Sequence, residues 1–329
     1  MRIRRIFCSL LALLAVAVPL SLTACNPEQT EGRSADDDSY TGLLKTCPNF
    51  LPSSPGIRPV IDFGGETLPQ LREAYGLAAV AGELSSARTT FSQATALLHW
   101  VSRHTVHDGA YDNHVPENAP ELLAYAFDKG ADGALNCRAL SVILTECLLS
   151  LGIPARTVSL MPFSPYDNDN HVIAHAYIGE LGKWVVLDPT WDAYPMDERG
   201  VPLGLLELRA LLAARQPIQF NAEANYNGAP MDAANTAYYT AYLTKDLFYF
   251  SFSETSGFGD QGNPRTLTLC PAGYDVKRRE LNNIAWRMET FGGSEAMQAW
   301  LTRQKAREIL YVSAEDFLAA PALAYTIVD

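Results

Sequence analysis

Three residue types that together could carry out acyl chemistry occur in chain order: Cys137, a pair of histidines at 171 and 175, and Asp188. Cys137 follows the Gly-containing loop "KGADGALN" and opens a helical pattern. Cys137, Leu140, Leu144, Cys147, Leu148 and Leu151 form its apolar stripe, and Gly152 is its stop. A thiol at a helix N-terminus sits at the positive end of the macrodipole, which favours the thiolate, and the unpaired N–H groups there can hold a developing oxyanion. Cys147, mid-helix on the apolar stripe, reads instead as a structural cysteine.

A thiolate needs a base to share its proton, and the base needs an acceptor that orients it. The stretch "DNHVIAHAYIGELGKWVVLDPTW", from Asp169 to Trp191, reads as two strands joined by a turn. Residues 171, 173, 175 and 177 share one face of the first strand. With the turn centred near Glu180-Leu181, Asp188 lies across from about residue 173, and His171 and His175 are its two diagonal neighbours. Geometry leaves both histidines in play. The plain alternative, two surface histidines on a polar strand face, is weakened by the order Cys, His, Asp with strand spacing.

The elements needed to position these groups are an α+β set. Helical periodicity begins near Leu68 and recurs over Arg88 to Arg103, Ala119 to Lys129, Cys137 to Leu151, Leu203 to Arg215 and Gly293 to Lys305. Strands are expected at "ARTVSL", in the hairpin and at Ile309 to Val312. Tyr238 to Phe252 fits strand or helix, and Arg278 to Thr290 reads as mixed.

The strings "LNCRALSVILTECLLSLGIPARTV", "DNHVIAHAYIGELGKWVVLDPTW" and "LGLLELRALL" resemble the transglutaminase-like superfamily over roughly Leu68 to Phe220, with a weaker echo in "AYYTAYLTKDLFYF". The resemblance implies a papain-like core in which N-terminal helices, including the one headed by Cys137, pack on an antiparallel sheet. It also separates the histidines. With Trp184 and Asp188 aligned to the family's Trp and Asp, His171 takes the catalytic position, and His175 falls where many members have Glu. The implied roles are Cys137 as nucleophile, His171 as base and then acid, and Asp188 as the group that fixes the imidazole tautomer. The oxyanion would rest on the Cys137 N–H and one upstream side chain, with Tyr111 and Trp100 as candidates. No metal or organic cofactor is implied.

The N-terminus points to export. Arg2, Arg4 and Arg5 precede an apolar run from Ile6 to Leu22, and Leu22-Thr23-Ala24-Cys25 follows. This resembles the lipobox of bacterial lipoproteins, which implies cleavage before Cys25, lipidation of Cys25 and a membrane-anchored protein in the cell envelope, on its periplasmic or extracellular face. The expected organisation is a signal peptide over 1–25, a flexible polar tether over 26–50, a transglutaminase-like domain over 51–235 and a C-terminal extension over 236–329 packed on the core. The 329-residue chain has a formal charge of −12, and losing the three leader arginines makes it more negative still. Such a surface repels phosphates, so nucleic acid is not an expected partner. Of six cysteines, Cys47 and Cys270 are the pair left for a disulfide. His99, His104 and His107, at or near the end of one helix, and His114 in the loop beyond need no more than that placement to explain them.

The expected function is a membrane-anchored thiol enzyme. It would attack a peptide or glutamine amide through a Cys137 thioester and pass the acyl group to water or an amine. The alternative is a non-catalytic lipoprotein that holds a peptide or glycan on the same fold.

Overall fold

The computed structural model describes residues 37–51, 67–83, 89–253, 256, 265–292 and 294–321. The leader, Cys25 and the first part of the tether lie outside the described residues. Along the chain run α1 (Asp37–Thr46), α2 (Thr67–Ala74), α3 (Leu77–Glu83), α4 (Thr90–His104), α5 (Ala119–Lys129) and α6 (Cys137–Ser150). The strands β1 (Ala155–Met161), β2 (His171–Ile178), β3 (Lys183–Leu187) and β4 (Pro195–Met196) follow, then α7 (Leu205–Ala213). Short strands β5 (Gln219–Phe220), β6 (Asn225–Tyr226) and β7 (Ala229–Pro230) lead to α8 (Ala233–Asp246), β8 (Tyr249–Phe252) and β9 (Arg265–Leu269). The chain closes with α9 (Val276–Phe291), α10 (Glu295–Ala306), β10 (Glu308–Tyr311) and α11 (Ala314–Leu318).

The main sheet has the order β10-β9-β8-β1-β2-β3. Its pairings are antiparallel except β9 with β10. Each face is covered, so β2 is buried almost along its whole length instead of alternating with solvent. Ala174, Ala176 and Ile178 face one core, formed with α4, α5 and α6. Ile173, Val186, Val158 and Leu160 face a second core, formed with α7, α8 and α11. The small side chains at 174 and 176 let α6 lie close on the sheet. Two polar contacts then fix its position. The Ser141 hydroxyl donates to the Val172 carbonyl at 2.9 Å, and Thr145 shares a hydrogen bond with Thr157 at 3.1 Å. One turn into the helix and one residue into the strand, the first contact sets Cys137 against His171.

Several expectations change. Residues 37–46, read as the end of a tether, form α1, because Leu44 inserts into the second core between α7 and α8. The C-terminal extension does more than pack on the core, since β8, β9 and β10 continue the same sheet. Its aromatic segment is both helix and strand: Tyr239 and Tyr242 lie one turn apart on α8, and "YFSF" then forms β8. Arg278 to Thr290 belongs to a single helix, α9, capped by Asp275 accepting from the Arg278 N–H. Its buried face carries Arg279 and Asn283, and these polar residues hide the apolar stripe. Cys47 and Cys270 are free thiols. Cys270 is buried and donates to the Tyr274 carbonyl, and burial pushes its thiol up to about 12. Among the described residues no helix is long and apolar enough to cross a membrane.

Candidate active site

Cys137 is the first residue of α6. Asn136 caps the helix, with its side-chain oxygen accepting from the Ala139 N–H at 3.0 Å. The Asn136 amide in turn donates to the Tyr111 carbonyl and to Asn113 Oδ1. The cap is thus tied to the loop before α5, and the first turn of α6 is held on both sides. Cys137 is nearly covered, at 4% exposure.

His171 is the first residue of β2, and its ring is fully buried. Its Nε2 is 2.5 Å from Asp188 Oδ2. With Nε2 so engaged, Nδ1 is the nitrogen left for the Cys137 sulfur, which is hydrogen-bonded to the ring. Burial alone pushes the imidazole down. The Asp188 charge and hydrogen bond, together with Cys137, overcome this and raise it well above the ordinary histidine value. Asp188 sits just past β3. The β2–β3 register pairs Ala174 with Leu187, so Asp188 falls opposite Ile173, with His171 and His175 on its diagonals. The turn that sets this register is a 3-10 turn, Gly179–Leu181, closed by Gly182 in the left-handed region at φ 62°.

The structure therefore brings Cys137, His171 and Asp188 together and leaves His175 out. His175 is equally buried, but its ring stacks between Trp184 and Phe317 at 5.3 and 5.6 Å, and its Nδ1 lies 3.2 Å from Arg156. Burial, reinforced by the Arg156 charge, pushes it well below the ordinary value, so it is held neutral. Arg156 is itself sandwiched between Trp184 and Phe317, each 4.1 Å from its guanidinium, and donates to the Phe317 carbonyl. His175 thus belongs to the seat of α11, not to the cysteine site.

Other residues complete the surroundings. Asp188 Oδ1 accepts from the Thr190 N–H at 2.9 Å, and Oδ2 accepts a second hydrogen bond, from the Tyr239 hydroxyl of α8. Tyr242, one turn further on, sets its ring edge-on to His171 at 5.4 Å, and its hydroxyl donates to Asp169. Lys245 follows on the same face, 3.0 Å from Asp167 and 3.5 Å from Asp169, and draws the loop before β2 onto α8. Burial raises Asp169, and the Lys245 charge works against that rise. The loop after Asp188 is anchored by α4. His99 pairs with Asp192 at 2.5 Å, and the Ser102 hydroxyl donates to the Pro189 carbonyl at 2.7 Å.

Sequence reasoning missed Tyr239, Tyr242 and the tie from His99 to Asp192. The signal for the tyrosines was a pair at i, i+3 in an aromatic segment of undecided structure. For His99 there was none, because its partner lies 93 residues away. Tyr111 supports the site through its carbonyl, while its hydroxyl accepts from the Val115 N–H. Trp100 packs among Tyr75, His104 and Phe127. Cys147 is fully buried, and burial drives its thiol far above the ordinary range, as a structural cysteine requires. Among the described residues no group of three or more His, Cys, Asp or Glu is placed to hold a metal ion.

Residues 78–189 match the family described as the transglutaminase-like superfamily, and this stretch, which holds Cys137, His171 and Asp188, is a domain of that superfamily. A solved structure titled "a Putative Cysteine Protease" from Cytophaga hutchinsonii is 21% identical, over 50% of this chain and 55% of that one, with a TM-score of 0.27. The chain thus spans about half the length of that protein. None of the curated proteins compared matches the chain.

Proposed function

We propose that the protein is a cysteine-dependent amide hydrolase or acyltransferase in which Cys137 is the nucleophile, His171 the base and acid, and Asp188 the orienting group. The observation that carries this reading is the buried His171 ring hydrogen-bonded to Cys137 on one side and to Asp188 on the other. The Cys137 thiol gives its proton to His171, and the sulfur attacks the carbonyl carbon of an amide. The carbonyl oxygen takes the negative charge at the positive end of the α6 dipole, where Cys137 stands. The C–N bond breaks as the His171 proton passes to the leaving amine, and a thioester remains on Cys137. Water or a second amine then gives its proton to His171 and attacks the thioester, and the thiol is regenerated. Asp188 holds Nε2 throughout, so Nδ1 faces the sulfur in each step. A peptide or protein is the substrate this chemistry fits. The lipobox ending at Cys25 supports a membrane-anchored lipoprotein of the cell envelope, with the site carried on the body beyond the anchor.

The test uses p-nitrophenyl acetate as a minimal acyl donor. A stoichiometric release of p-nitrophenol with acetyl on Cys137, absent in Cys137→Ala, supports the enzyme. Release that is the same in Cys137→Ala, or no acylation of Cys137, sinks it and leaves the binding-protein alternative. Added butylamine then separates the two second half-reactions: N-butylacetamide marks transfer to an amine, and acetate alone marks hydrolysis.

A further inference from the structure

The superfamily match ends at residue 189, yet Asp188 is finished by a residue fifty positions further on. The Tyr239 hydroxyl donates to the same Oδ2 that takes the His171 Nε2–H, while Oδ1 is held by Thr190. Tyr239 has little freedom to do otherwise. It is fully buried, its ring stacks on Trp191 at 4.8 Å and 23°, and Phe220 lies 5.0 Å away. Asp188 has two diagonal histidines within side-chain reach, and the register of the sheet does not choose between them. The third donor fixes the plane of the carboxylate and so aims Oδ2 at His171.

We infer that α8 is part of the reacting unit and that Tyr239 is a positioning residue, which holds Asp188 toward His171 and away from His175. This rests on the thiol-enzyme reading above. A buried carboxylate oxygen that loses one of two donors keeps its need for hydrogen bonds, and the aspartate side chain can then rotate. Without the Tyr239 hydroxyl the negative charge behind His171 is less well stabilised, so the site gives up the Cys137 proton only at higher pH. Tyr239→Phe removes the hydroxyl and keeps the ring stack, so it isolates the hydrogen bond from the packing.

The experiment measures alkylation of Cys137 by iodoacetamide as a function of pH, because alkylation reads the thiolate and needs no substrate. For Tyr239→Phe the acid limb is expected to move up by about one to two pH units, with the rate unchanged on the alkaline side. Tyr238→Phe, the neighbouring position on α8, should overlay the wild type. In an Asp188→Asn background the Tyr239→Phe shift should vanish, which a merely structural tyrosine would not do. Should Tyr239→Phe not fold, 3-fluorotyrosine at 239 keeps ring and hydroxyl and, as a stronger donor, should move the limb down. A reactive wild type whose profile is unmoved by these changes overturns the role of Tyr239. A wild type that alkylates no faster than a free thiol overturns the enzyme reading itself.

Discussion

Asp188 hydrogen-bonds to His171 and not to His175, although both histidines stand on its diagonals across the β2–β3 ladder. The two rings are four residues apart on one strand and equally buried, yet their surroundings oppose each other. His171 is flanked by a carboxylate and a thiol, which favour its charged form. His175 is buried beside the Arg156 guanidinium, and burial and that charge both disfavour its charged form.

The first prediction concerns Asp188→Asn. Nearly the same shape is kept, but the amide has one accepting oxygen where the carboxylate has two, so its NH2 must face the N–H of either Thr190 or His171. The rate of acylation by p-nitrophenyl acetate should fall by roughly 10⁴-fold, with the fold retained by circular dichroism. A loss below about tenfold would mean that Asp188 does not orient His171.

A second prediction separates the histidines by pH. His175 is neutral in the fold, while in the unfolded chain it takes a proton below its ordinary value of 6.5. Its contribution to stability is therefore present above pH 6.5 and lost as pH falls below it, by up to about 1.4 kcal/mol per pH unit. His171 has the opposite sign: its contribution is present below 6.5 and lost as pH rises through its raised folded value. In His175→Phe, whose ring can lie between Trp184 and Phe317, melting temperature should depend less on pH below 6.5 than in the wild type, and Cys137 alkylation should be retained. An unchanged acid slope would contradict the assignment.

How much of this was legible in the sequence follows from the range over which each feature is set. α6 could be read because the glycine-containing loop before it, its 3.6-residue stripe and its glycine stop are all local. The β2–β3 register could be read because a short turn fixes it. The choice between His171 and His175 is not local. It depends on Arg156 from β1, Phe317 from α11 and Tyr239 from α8, which approach only when the chain is folded. The extent of the sheet was hidden for the same reason, since β8 lies some ninety residues after β1 in the chain. α9 escaped because its buried face holds Arg279 and Asn283, which donate to the carbonyls of Ser164 and Pro165 and so pin the loop that precedes His171.

Ser141 gives a third prediction. Its hydroxyl bonds the carbonyl of Val172, next to His171 in sequence, and both groups are buried. Ser141→Ala leaves that carbonyl without its partner and should cost about 1–2 kcal/mol in chemical denaturation. Acylation of Cys137 should slow as well, because the helix loses the contact that sets its position on the strand. A variant with wild-type stability and rate would show that small-residue packing at Ala174 and Ala176 suffices.

Gly204 supplies a fourth. A methyl group added there would stand 2.6 Å from the Trp184 carbonyl, a backbone atom that cannot swing aside. Gly204→Ala should destabilise the protein by about 1–3 kcal/mol, read as a lower denaturant midpoint. A midpoint equal to the wild type would mean that α7 shifts freely on β3.

The central claim is that Cys137 and His171 share a proton, and the most direct measurement is the pH dependence of Cys137 alkylation by iodoacetamide in the wild type and in His171→Ala. The account predicts that the wild type reacts rapidly well below the range of a free thiol, about 8.5, and that His171→Ala returns the profile to that range. A wild-type profile with its midpoint at the free-thiol value, indifferent to the loss of His171, would contradict it.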